Sequence, residues 1–317
     1  MINSSYWHIK PHTERKLEIL SKYLNAWCDI IFGQYQRHPD WKTWQTPFFV
    51  DCFSGRGMYH KDNQSDSVKG SPIIAIEKFI DKKNLLFEKH KLEIYPKCRF
   101  VESKEEYFND LQQFIEPYRS EIDIKVIHED FNNAIRNIVN ETGSSPTLFF
   151  VDPGGIKELK KESVEAIVQK RGARDILLNY VVDGQIRVGG LGKHLIGGTY
   201  KGNNYEGAYK TIESLQDFIG MGIEEFLDCT DNDYIEALYT YVSNVLHANN
   251  KLQIKENQLQ TIVFDMKDRK RNKLAYFLLF STRKSVAKSI MKDIFKESKK
   301  KESNQMTIFD VEFPEIN

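Results

Sequence analysis

In Phe48-Phe49-Val50-Asp51-Cys52-Phe53-Ser54-Gly55-Arg56-Gly57, an apolar run ends in an acid, and a tight Gly-x-Gly turn then opens toward a helix. Downstream, Phe100-Val101-Glu102-Ser103 again runs from apolar residues into an acid. In a doubly wound α/β sheet, ligands bind beyond the carboxyl ends of the strands. Glycines at such an end let the backbone turn sharply and come close to the ligand. An acid at the next strand end stands where a ribose diol can hydrogen-bond. The two stretches together point to a nucleoside-bearing cofactor.

Strand and helix patterns alternate outward from this turn. The buried strand is expected over Phe48–Phe53. Gly70-Ser71-Pro72 starts a helix, with Pro in its first turn, that continues over Ile73–Ile80. Further strands are predicted at Arg99–Glu102, Ile122–Ile127, Thr147–Val151 and Ile176–Val182, with helices at Glu105–Ile115, Asn133–Val139 and Val164–Val168 between them. Uniformly apolar strands alternating with helices imply a parallel sheet covered on both faces. Gln260–Met266 and Leu274–Thr282 read as a closing hairpin, and Ser285–Phe295 as a final helix. On the N-terminal side, Leu17, Leu20, Leu24, Trp27 and Ile31 recur at helical spacing, with Thr13 as N-cap. The expected fold is α/β: a doubly wound, mostly parallel seven-stranded sheet of the class I methyltransferase type. Residues 1–46 form an N-terminal helical segment, and 47–187 with 258–296 form the core. Residues 188–257 form a helical insertion, and 297–317 a flexible tail. The insertion opens on a glycine-dense stretch, Gly189 to Gly202, read as a mobile lid or substrate guide.

A chain of 317 residues can bury a full core. No apolar run approaches the roughly 20 residues of a membrane helix, and the N-terminus has no secretory apolar region. Cys28, Cys52, Cys98 and Cys229 are scattered, with no C-x-x-C and no neighbouring histidine cluster. That pattern fits reduced thiols in a cytoplasmic protein and gives no zinc signature.

The chemistry gathers at the strand ends, where Asp51, Glu102, Asp130 and Asp152 each close a strand. A pyrophosphate fingerprint needs a third glycine, G-x-G-x-x-G. Tyr59 or His60 stands there instead. S-adenosylmethionine fits these residues better than a nicotinamide dinucleotide. It has no phosphates, and it carries a sulfonium, an amino group and a ribose diol that suit acids. Asp51, Ser54, Gly55 and Gly57 are candidates for its methionine end, Glu102 for the ribose hydroxyls, and Asp130 with Phe131 for adenine. Asp152-Pro153-Gly154-Gly155 closes the fourth strand. Methyl transfer to a base amine needs a group that accepts a hydrogen bond from that amine and so directs its lone pair. Asp152 is the candidate, with Asn179 assisting, although an Asp-Pro turn also ends strands for steric reasons alone. Gly154 and Gly155 stand where amino-methyltransferases carry an aromatic platform for an extruded base. Asn179-Tyr180 offers a replacement amide and ring, or Tyr180 packs on the sheet. No metal site is expected.

Charge is polarised toward the C-terminus. Lys267–Lys273 holds five basic residues and one acid, and Arg283–Lys301 holds eight and two, in a chain of zero formal net charge. Such segments can neutralise nucleic-acid phosphates, or be solvated surfaces. The tail ends in Gln305-Met306-Thr307-Ile308-Phe309, similar to the pentapeptide by which bacterial replication and repair proteins dock on the sliding clamp.

Several motifs occur in one order: Thr13-x-x-Lys16, Asp51-x-Phe53-Ser54-Gly55-x-Gly57, Gly70-Ser71-Pro72, Val101-Glu102, Asp130-Phe131, Val151-Asp152-Pro153-x-Gly155, Leu178-Asn179-Tyr180 and Phe280-x-Thr282. Together they resemble the three-Cys-motif partner family, from about His12 to Phe295. Ser54 and Arg56 depart from it, standing where the family more often has Ala and Pro. The resemblance implies a methyltransferase-like fold and a genomic partner of radical S-adenosylmethionine type with three cysteines. It supplies no reaction. The expectation is an S-adenosylmethionine-dependent methyltransferase acting on a nucleic-acid base. Two alternatives stay open: a catalytically silent accessory module of the same fold, and a nicotinamide oxidoreductase.

Overall fold

A computed structural model describes residues 8–61, 67–180, 182–230, 238, 240–247, 258–268, 273–300 and 308–310. Strand β1 (Phe48–Asp51) lies at the centre of the sheet. It pairs in parallel with β4 (Lys97–Glu102) on one side and β6 (Thr147–Val151) on the other. Parallel pairing continues outward from β4 to β5 (Asp123–His128) and from β6 to β7 (Arg174–Tyr180). Then β9 (Lys273–Thr282) runs antiparallel to β7, and β8 (Gln260–Asp268) antiparallel to β9. The order β5-β4-β1-β6-β7-β9-β8, with one reversed strand next to the edge, is the class I methyltransferase sheet. An eighth strand, β10 (Ile308–Asp310), pairs antiparallel with β8. The two-stranded hairpin β2 (Met58–His60) and β3 (Ser67–Lys69) stands apart from the sheet.

Period-two alternation sends each strand's side chains to two different cores. Phe48 and Val50 of β1, Phe149 and Val151 of β6, Ile176, Leu178 and Tyr180 of β7, and Phe277 and Leu279 of β9 share one cluster. Their neighbours Phe49, Leu148, Phe150, Leu177, Leu278 and Phe280 share the other. Both faces are therefore apolar, which explains why the strands read as continuous hydrophobic runs. Helices α1 (Pro11–Arg37), α2 (Ser71–His90) and α9 (Ser285–Lys300) cover one face, joined at its edge by α3 (Glu105–Ile115). The other face takes α4 (Phe131–Thr142), α5 (Lys161–Val168) and the insertion helices α6 (Val182–Ile196), α7 (Tyr205–Ile219) and α8 (Ile223–Thr230).

Three local expectations are revised. Helix α1 begins at Pro11, with Lys10 as cap residue and no side-chain cap, because Pro in the first turn pre-sets the backbone two residues before Thr13. The glycine-dense stretch is largely helical: a Cβ on Gly189 would lie 3.3 Å from the Phe226 ring, and one on Gly192 3.3 Å from Ile223. These glycines let α6 approach α8 closely, so packing accounts for them. The tail contributes β10 to the sheet edge. Gln305, Met306 and Thr307 lie outside the described residues, as do residues 269–272 and, within the insertion, residues 231–237 and 239.

Candidate functional site

The turn after β1 is built on its glycines. Gly55 and Gly57 have φ of 62° and 85°, the left-handed region that other side chains rarely occupy. A Cβ on Gly57 would also stand 2.9 Å from Leu111 of α3. The Gly70 amide donates to the Gly57 carbonyl at 2.8 Å, and a Cβ on Gly70 would come within 2.7 Å of that same oxygen. Gly-x-Gly and Gly-Ser-Pro are thus one structure, in which Gly70 makes room for the Gly57 backbone. The Ser54 hydroxyl closes the turn on the Asp51 carbonyl at 3.1 Å.

Beyond the ends of β1, β4, β6 and β7 lies a cleft of about 600 Å³. Its roof is the chain before α1, where the Ile9 amide donates to the His60 carbonyl at 2.8 Å and so joins this segment to the β2–β3 hairpin.

Asp51 lies beneath the cleft with no exposure. Its Oδ1 accepts from the Phe53 amide at 3.2 Å, while Oδ2 is buried without a hydrogen-bond partner. Burial raises its pKa to about 7; Ser71 and the Phe53 amide work against that shift, and the Asp152 and Glu102 charges add to it. Glu102 spans two backbones: Oε2 accepts from the Gly55 amide at 2.9 Å and Oε1 from the Lys104 amide at 2.8 Å. Each oxygen keeps a further lone pair. Asp130 is the N-cap of α4, accepting from the Asn132 amide at 2.8 Å, and it lines the cleft. Phe131 is 2% exposed and packs on the Phe53 ring at 5.0 Å. Phe131 also lines the cleft, and Phe53 and Tyr107 are partly exposed rings at this side of it.

The other side of the cleft holds a polar cluster that only the fold assembles. Lys16 of α1 places Nζ 2.5 Å from Asp152 Oδ1, and the Asn179 amide donates to the same oxygen at 2.7 Å. Both donors converge on Oδ1 and fix the carboxylate, leaving Oδ2 for a further donor. Asn179 Oδ1 is buried without a partner and belongs to the same cleft wall. Tyr276 of β9 closes the wall: its hydroxyl donates to the His12 carbonyl at 3.0 Å, and Lys16 Nζ sits 5.4 Å from its ring centre. Burial raises its pKa, with the Asp152 charge adding to the shift.

Asp152 and Asn179 are therefore brought together, and the Gly turn, Glu102 and Asp130 share their cleft. Tyr180 is not a platform there. It is fully buried among Phe218, Tyr241 and Phe277. Arg56 does not line the cleft; it reaches Glu106 and Asp110 of α3, with its guanidinium 4.3 Å from the Tyr107 ring. Lys16, Tyr59 and Tyr276 were not singled out as site residues from the sequence. Lys16 carried one signal, its place in Thr13-x-x-Lys16. Among the described residues, no group of three or more His, Cys, Asp or Glu is placed to hold a metal ion. None of their helices is long and apolar enough to cross a membrane.

No family model matches the chain, and no curated protein matches it. Solved structures do. The Legionella pneumophila protein LPL1258, assigned to DUF519, aligns at 12% identity over 93% of this chain and 97% of its own, with a TM-score of 0.46. A Clostridium thermocellum protein named as an rRNA methylase aligns at 9% identity over 74% and 87%, with a TM-score of 0.30. An Anabaena variabilis SAM-dependent methyltransferase aligns at 11% identity over 88% and 98%, with a TM-score of 0.28.

Proposed function

We propose that the chain binds S-adenosylmethionine in the cleft and transfers its methyl group to an amino group on a nucleic-acid base. The observation that carries this reading is the junction of two polar sets in one cleft. Glu102, Asp130 and the Gly55 backbone lie on one side, and Lys16, Asp152 and Asn179 on the other. The donor set suits the cofactor. The orphaned Oδ2 of Asp51 is a buried acceptor beside the glycine turn, suited to an ammonium. Glu102 retains acceptor capacity for a diol, and Phe53 offers an apolar face near Asp130. A cleft of this size falls within the range that holds small molecules.

When bound, S-adenosylmethionine supplies a methyl group already activated by its sulfonium. The protein's part is orientation. Lys16 and Asn179 hold Asp152 through one oxygen, and the other would accept an N–H of the incoming amine. Asn179 Oδ1 would accept a second. Two adjacent acceptors favour a primary amine over a hydroxyl, which has a single proton to donate.

Nucleic acid as substrate is supported by charge. Helix α9 carries Lys288, Lys292 and Lys296 at four-residue spacing, and Lys284 stands just before its first residue. It is tied to α1, the helix that brings Lys16 to the cleft, by Arg15 to Ser298 at 3.2 Å and Lys22 to Glu297 at 2.9 Å. The hairpin end of β8 and β9 extends past Tyr180 on the same side of the sheet as the cleft, although its basic turn lies outside the described residues. A three-cysteine radical-type partner, and a sliding clamp taking Gln305–Phe309 when Ile308 and Phe309 leave the β8 edge, complete the proposal from the sequence motifs.

Transfer of tritiated methyl to mixed-sequence DNA and RNA tests the reading. Wild type should label one of them, and Asp152→Ala should lose at least a hundredfold, the scale of a lost transition-state hydrogen bond. Cofactor binding with no transfer to either would instead assign the accessory-module role.

A further inference from the structure

The aromatic platform absent after Asp152 is replaceable from elsewhere in the cleft. A side chain at Gly155 would meet nothing within 4 Å, so the space beside the Asp152 turn is open. Tyr180, the neighbouring candidate, is buried in the core, and Tyr276 is only 5% exposed. Tyr59, from β2 of the outlying hairpin, is different. It lines the same cleft as Asp152, Gly154 and Asn179, and is partly exposed.

The seat of Tyr59 is specific. A Cβ on Gly70 would stand 3.3 Å from its ring carbon Cε2, so the ring edge lies against the Gly57–Gly70 backbone pair. The hairpin register Met58↔Lys69 and Tyr59↔Val68 sets it there. Its phenol feels both carboxylates: burial raises its pKa first, then the charges of Asp152 and Asp51. Tyr59 therefore stands between the cofactor side and the acceptor side. The first-turn glycines have a second consequence, since they bring a ring on a separate hairpin up to Asp152.

We infer that Tyr59 is the stacking platform for a planar acceptor base, doing from β2 what the residues after Asp152 cannot. The inference rests on the methyltransferase reading above. It makes the acceptor a flat heteroaromatic amine, because an aliphatic amine gains nothing from a ring face. Base–aromatic stacks are sequence-tolerant and contribute through area.

The test compares wild type, Tyr59→Phe and Tyr59→Leu for S-adenosylmethionine affinity and for tritiated methyl transfer to mixed-sequence single-stranded DNA and RNA. Cofactor affinity should match in all three, which also reports that each is folded. Tyr59→Leu should raise the acceptor KM roughly tenfold or more, the size of one lost stack. Tyr59→Phe should restore it to near wild type, which a hydrogen-bonding role for the phenol would not allow. An unchanged KM in Tyr59→Leu, with active wild type, overturns the inference and leaves the methyltransferase reading standing. Loss in Tyr59→Phe equal to that in Tyr59→Leu also overturns it. Wild type that binds no S-adenosylmethionine, or transfers to neither polymer, overturns both.

Discussion

Asp51 is the residue where burial and function pull hardest against each other. Its folded pKa of about 7 lies above the unfolded value of 3.8. The stability linked to this group is therefore whole below about pH 4 and is lost as pH rises through about 7. Asp51→Asn stays neutral throughout. Relative to wild type it should gain up to about 4 kcal/mol in urea denaturation between pH 4 and pH 8. His247 behaves oppositely. Its Nε2 lies 2.8 Å from Thr261 Oγ1 in a buried chain that continues to Ser281, and burial lowers its pKa to about 4. Its contribution is present above about pH 6.5 and is lost as pH falls toward 4. The advantage of wild type over His247→Gln should shrink by about 3 kcal/mol across that window. In wild type the two groups oppose one another over the same range, so only the paired variants separate them.

At the scale of elements, the Gly57–Gly70 junction holds β1, the β2–β3 hairpin and α2 in one arrangement. Gly57→Ala would force φ of 85° on a residue with a Cβ 2.9 Å from Leu111. Thermal unfolding should show a loss of about 1–3 kcal/mol, and cofactor affinity should fall with it because Gly55 and Ser54 share the turn. Much of this was legible in the sequence. Continuous apolar runs marked β1, β4, β6 and β7, because both faces of these strands are buried. Of the strand-end acids read in the sequence, Glu102, Asp130 and Asp152 line one cleft, and Asn179 donates to Asp152 there. Other features were not legible, for identifiable reasons. Lys16 is 136 residues from Asp152, and no local pattern announces a contact between a first helix and a fourth strand end. Tyr59 belongs to a three-residue strand, too short for periodicity. Phe131 follows an acid like a ligand-facing ring; with Asp130 capping α4, the ring is largely buried where it meets the cleft wall. The glycines of α6 look like a mobile segment in sequence, because glycine used for close helix approach and glycine used for freedom read alike.

Across the whole molecule, the sheet joins two cores and exposes its chemistry at one end only. At its far edge, β8 would present a row of unpaired backbone groups were it not for β10, and such edges recruit other chains. A chain ending at Ser303 lacks β10. Sedimentation should find it more self-associated than the full chain at equal concentration, with cofactor affinity unchanged because the cleft is at the strand ends near β1. The central claim concerns that cleft, and calorimetric titration of the full chain with S-adenosylmethionine, beside NADH, tests it most directly. One equivalent of S-adenosylmethionine should bind, Glu102→Ala should weaken it at least tenfold through a lost charged hydrogen bond, and NADH should give no heat of binding. Retention of NADH with no affinity for S-adenosylmethionine would contradict the account.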